Sequence, residues 1–103
     1  MEIPGEPDAL AALVKVFKTN AETDLVKLRT AVASLNARDV NRLAHKLKGS
    51  CGNFGAKKMA ALCQILEKAG YDQKLEEAPV LFEKIEAACV ELIDCLTRGL
   101  AKD

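Results

Sequence analysis

The sequence contains one histidine, and with no second one and no CxxC pair among Cys51, Cys63, Cys89 and Cys95 it lacks the ligand spacing of a zinc site. Each cysteine instead falls at a helical spacing among apolar residues, as expected of buried free thiols that serve as small hydrophobes. There is no excess of either charge. Fifteen Lys and Arg offset fifteen Asp and Glu, which removes the broad electropositive field that nucleic-acid binding needs. No apolar run approaches the roughly 18 residues of a membrane span, and the opening MEIPGEPDAL lacks the basic and apolar regions of a signal peptide. The expectation is a cytoplasmic protein with no membrane insertion and no nucleic-acid partner. Any charge that contributes to function has to act locally.

Proline is also scarce. Pro4 and Pro7, two of the three, lie in the first seven residues, which marks 1–7 as a flexible tail and leaves 8–103 to carry the fold. A chain of 103 residues has room for one core. Nothing alternates with period two over a useful length, so no strand is expected. The apolar residues recur at helical spacing instead. Asp8 caps a short helix through Leu10, Leu13, Val14 and Phe17, and a second begins near Asn20, with Leu25, Leu28, Val32 and Leu35 on one face. A third spans about Asp39 to Asn53 and a fourth about Lys57 to Ala69, with Gly70 just past its end. The last covers about Glu77 to Arg98, with Pro79 in its first turn. Short connections between amphipathic helices make neighbours antiparallel. The expected fold is all-α, an up-down antiparallel four-helix bundle with a short extra N-terminal helix, and nothing argues for assembly beyond a monomer.

The lone histidine stands in AHKLKGSCGNFG, residues 44–55, within the third helix. At about 100° per residue, Val40, Leu43, Leu47, Cys51 and Phe54 fall within about 60° of the side opposite His45, so the bundle claims that side and His45 points to solvent. Asn41, Lys48, Gly49 and Gly52 fall within about 60° of the histidine and form its surroundings. Each glycine costs a helix roughly 1 kcal/mol relative to alanine. Two of them on the histidine's face keep that face bare, so that a bulky partner can reach the imidazole. Lys48 lies at i+3 and Lys46 flanks the same surface, where an ammonium group suits phosphoryl oxygens. A neutral imidazole is itself a competent nucleophile. These residues together point to phosphoryl acceptance on His45.

At this point the sequence resembles the histidine-containing phosphotransfer (HPt) domains of bacterial phosphorelays. His45-Lys46-Leu47-Lys48-Gly49-Ser50-Cys51-Gly52-Asn53-Phe54-Gly55 follows the family pattern of histidine, any residue, apolar, lysine, glycine, two small residues and an apolar-glycine turn. The pattern continues through Ala56, Met59, Leu62, Cys63, Leu66 and Glu67, and the apolar spacing of residues 9–43 agrees with it. The resemblance implies a helical bundle without catalytic machinery of its own. His45 Nε2 would take a phosphoryl group from a response-regulator receiver domain or a histidine kinase and give it to a receiver aspartate. Lys48 would steady the phosphate, and Gly49 would keep the histidine accessible. Glu67 would hold Nδ1 from the neighbouring helix, with Gln64 as the alternative one turn away. Asn41, Lys46 and Gly52 would border the partner. No cofactor is expected on the chain, since the receiver would bring the Mg²⁺. The alternatives are the phosphorylatable substrate domain of a chemotaxis-like histidine kinase and an inert helical interaction module.

Overall fold

The computed structural model describes the backbone of residues 6–101 and the side chains of residues 9–99. All regular structure in this range is helical: α1 (Glu6–Ala33), α2 (Ala37–Gly52), α3 (Lys57–Tyr71) and α4 (Ala78–Ala101). Each helix packs on its chain neighbours and α1 also packs on α4, which closes a ring of four. None is long and apolar enough to cross a membrane.

α1 departs from expectation. It runs unbroken for 28 residues, so there is no separate short N-terminal helix and no break near Asn20. The physical reason is a continuous buried stripe through Val14, Phe17, Ala21, Leu25, Leu28 and Val32, with neither glycine nor proline to interrupt it. The helix also takes in Glu6 and Pro7, expected in a tail of residues 1–7; the rest of that stretch, residues 1–5, lies outside the described residues. Of the apolar residues expected in the first helix, Val14 and Phe17 are buried, while Leu10 and Leu13 are 52% and 59% exposed. α1 and α4 are the two long helices.

The three connections share one device. α1 ends with Asn36 N–H on Ala31 C=O and Leu35 N–H on Val32 C=O, α2 with Ala56 on Cys51 and Gly55 on Gly52, and α3 with Lys74 on Ala69 and Gln73 on Gly70. Each is a Schellman closure, in which one residue turns left-handed to satisfy the last carbonyls. Glycine fills that place only at Gly55 (φ 69°), while Leu35 (φ 57°) and Gln73 (φ 58°) fill the others. Asn36 then caps α2, its side chain accepting from the Asp39 N–H at 3.1 Å.

Gly70 is therefore not the residue past the end of α3. It is buried within the helix, where an added Cβ would come 2.6 Å from Asn41 N and 2.8 Å from Ala37 O. The absent side chain lets α3 lie directly against the first turns of α2. The core fills the space between the four helices, with Leu28, Val40, Leu47, Met59, Leu66 and Ile85 essentially inaccessible. Phe54, from the turn after α2, stacks on Phe17 with ring centroids 4.9 Å apart.

Three cysteines, Cys51, Cys63 and Cys89, are buried as expected, but Cys95 is exposed. It lies at the edge of the α4 stripe, in an open cleft shared with Ala56, Lys57 and Met59 at the start of α3. The Cys63 thiol is pushed up by its hydrogen-bonded neighbour Cys51 and then by burial, and burial pushes Cys89 up to about 11. Both remain neutral thiols in the core.

Gly70→Ala should lower the unfolding free energy by about 1–3 kcal/mol, because the clash is with backbone that cannot step aside. Gly49→Ala, where an added Cβ meets nothing within 4 Å, should gain up to about 1 kcal/mol. Urea denaturation of the two variants checks the contrast, and equal effects would contradict the packing assigned to Gly70.

Candidate functional site

His45 and Glu67 meet across the α2–α3 seam that Gly70 allows. The His45 side chain is 68% exposed, and its Nδ1 lies 2.9 Å from Oε2 of Glu67, which is 23% exposed. On the other side of the same carboxylate, Lys48 Nζ lies 2.9 Å from Oε1. That contact is an ion pair without hydrogen-bond alignment, since Oε1 is closed off from water and has no hydrogen-bond partner among the described residues. The Lys48 ammonium, foremost, and then the His45 contact hold the Glu67 carboxyl below the usual glutamate range against the opposing effect of burial. Glu67 is thus an ionised, acceptor-only group at neutral pH. Facing an ionised carboxylate, Nδ1 is the donor, and in the neutral ring that places the lone pair on Nε2.

The helices fix this arrangement from behind. Val40, Leu43, Ala44 and Leu47 bury the opposite face of α2, so the imidazole cannot rotate into the core. Asn41 donates from Nδ2 to the Glu67 backbone carbonyl at 2.8 Å, one turn before His45, and ties the two helices at the level of the site. Gly49 and Gly52 lie exposed in α2, and a Cβ on either would meet nothing within 4 Å. The face around the imidazole is therefore open to an approaching molecule. Gln64, the alternative to Glu67, is exposed and shares a cleft of about 300 Å³ with Asn41, Lys48, Glu67, Lys68 and Tyr71. The contact to Nδ1 comes from Glu67.

Lys46 does not gather with Lys48. Its ammonium is held 3.1 Å from Oδ1 of Asp24 on α1. Asp24 went unnoticed in the sequence, yet it is 1% exposed and its Oδ2 has no hydrogen-bond partner among the described residues. A signal was present: Asp24 falls three residues after Ala21 and four before Leu28, on the packed stripe of α1, where an acid has no reason to be unless it is paired. No group of three or more His, Cys, Asp or Glu that could hold a metal ion occurs among the described residues.

The comparisons with known proteins agree with this geometry. The family model described as Hpt domain matches residues 12–98, nearly the whole bundle. This chain belongs to the Hpt domain family. Among solved structures it is similar to the crystal structure of histidine-containing phosphotransfer protein B (HptB) from Pseudomonas aeruginosa PAO1. That match has a TM-score of 0.85 and 26% identity, and it covers 89% of this chain and 80% of the other. A search of curated proteins finds no match. Hpt domains are histidine phosphotransfer carriers of phosphorelay signalling rather than catalytic enzymes, and the family interacts with receiver domains and kinases. The Hpt domain described here is a histidine phosphotransfer carrier in phosphorelay signalling.

The Asp24–Lys46 pair makes a stability prediction. Lys46→Met should cost about 1–3 kcal/mol, because it leaves a buried carboxylate without its one partner. Asp24→Asn added to that variant should recover part of the loss. A cost for Lys46→Met below about 0.5 kcal/mol, typical of a solvent-exposed pair, would show that Asp24 does not depend on Lys46.

Proposed function

We propose that His45 is the residue on which this Hpt domain carries the phosphoryl group. It receives the group from a response-regulator receiver domain or from a histidine kinase and passes it to a receiver aspartate. The observation that carries this reading is an exposed imidazole, the only one in the chain, whose Nδ1 lies 2.9 Å from a Glu67 carboxylate held below the usual glutamate range, so that the neutral ring has its lone pair on Nε2.

In the forward step the Nε2 lone pair attacks phosphorus. The P–N bond forms as the P–O bond to the donor aspartate breaks, and that bond's electron pair leaves with the aspartate carboxylate. The reverse step returns the pair to Nε2. The proton stays on Nδ1 in both directions, so the chain needs no general base. Glu67 orients the ring and stabilises the positive charge that the ring acquires. Lys48 meets the phosphoryl oxygens, Gly49 keeps the approach clear, and Asn41, Lys46 and Gly52 border the docked partner. The Mg²⁺ belongs to the receiver's acidic pocket, and this domain contributes no cofactor.

The same reading takes the bundle as up-down and antiparallel. It is supported by connections as short as residues 34–36 between helices that pack on one another. It also takes the protein as a cytoplasmic monomer.

Incubation with a phosphorylated receiver should place an acid-labile, base-stable label on His45. His45→Gln should abolish the label and leave the helical content unchanged. Gly49→Leu should keep the fold and lose most of the transfer, because its side chain enters the open space beside the imidazole. Labelling of His45→Gln, or full-rate transfer to Gly49→Leu, would overturn the assignment.

A further inference from the structure

We infer that Lys48 has a second role, in the unphosphorylated protein: its ammonium balances the Glu67 carboxylate, and it gives up that carboxylate for the phosphoryl oxygens when His45 is loaded. This inference rests on His45 being the phosphorylated residue.

The two oxygens of Glu67 have different partners, His45 Nδ1 at 2.9 Å on Oε2 and Lys48 Nζ at 2.9 Å on Oε1. A carboxylate facing an imidazole alone favours the imidazolium, whose Nε2 carries a proton and has no lone pair to attack with. A cation on the far oxygen opposes that pull, so the ring can stay neutral and remain a nucleophile while Glu67 still holds its orientation. Three other cations on α2 and α3 have partners elsewhere. Lys46 is bound to Asp24 of α1, Arg42 lies 3.5 Å from Asp39, and Lys68 lies 2.9 Å from Asp72. Lys48 is the cation that the geometry gives to Glu67.

Loading the ring inverts the balance. With Nδ1 protonated and Nε2 bonded to phosphorus, the ring itself becomes the cation facing Glu67, and the phosphoryl oxygens become the stronger anion for Lys48. The ammonium is a compact point charge on a flexible stem, so it can turn from Oε1, 2.9 Å away, to a new anion beside it. One lysine then offsets an anion in both states, and no proton has to enter or leave the site. Lys48 is in this sense a positioning residue before transfer and a phosphate-binding residue after it.

A double-mutant cycle read at the single histidine tests this. In the full-length unphosphorylated protein, Lys48→Ala should raise the NMR titration midpoint of His45 by about half a pH unit. In a Glu67→Gln background the same change should have little effect, because the carboxylate through which Lys48 acts is gone. Lys58→Ala, which removes an exposed lysine paired with Glu91 of α4, should leave the midpoint in place. In protein labelled with phosphoramidate, the coupling between positions 48 and 67 should vanish. An undiminished Lys48→Ala effect without Glu67 would overturn the balancing role, and coupling that persists in the phosphorylated protein would overturn the exchange. Failure of phosphoramidate to label His45 would instead count against the assignment of the phosphorylated residue, and the cycle on the free protein would still stand.

Discussion

The close approach of α2 and α3 at Gly70 is the constraint on which the site depends. A methyl group there would collide with the backbone at Asn41 and Ala37, and the helices would have to separate. Asn41 is also the residue that reaches the Glu67 carbonyl, and Glu67 is the residue that holds the imidazole. One missing side chain thus sets the distance across which a histidine and a carboxylate on different helices can share a proton. The helix tolerates glycine in its interior because the packing it permits outweighs the roughly 1 kcal/mol of lost propensity.

The chemistry then needs little more than charge placed on rigid supports. Nothing in the site is deeply buried except the far oxygen of Glu67, and there the Lys48 ammonium stands in for water. The core behind α2 prevents the histidine from turning inward, and the two exposed glycines leave it uncovered. Such a surface suits a carrier. The same face must dock first a donor and then an acceptor, and a pocket shaped closely to one would hinder the other.

Much of this was legible in the sequence because helical phase is a strong signal. The stripe from Val40 to Phe54 placed His45 outward and Gly49 and Gly52 beside it, whereas Glu67 as the Nδ1 partner, with Gln64 one turn away, came from the resemblance to HPt domains and not from phase. What was not legible depended on contacts between helices. Gly70 read as a helix end because a glycine after an apolar stripe usually is one, whereas Gln73 takes the left-handed position and Gly70 serves packing. Asn20 suggested a break that the continuous stripe of α1 overrides. Cys95 carried a helical spacing but falls at the edge of the packed stripe, where its neighbour Leu96 takes the core-facing place. The pairing of Asp24 with Lys46 joins residues 22 positions apart, and no local pattern announces it.

The central claim is that Glu67 fixes the proton of the neutral His45 ring on Nδ1 and leaves Nε2 free to attack. A free imidazole side chain in water prefers the opposite tautomer, so the claim has a direct spectroscopic signature. Long-range ¹H–¹⁵N correlation spectra of the single histidine, recorded above its titration, should show the Nδ1–H form in the wild-type protein and a shift towards Nε2–H in Glu67→Ala. An Nε2–H ring in the wild type, unchanged by removal of Glu67, would contradict the account.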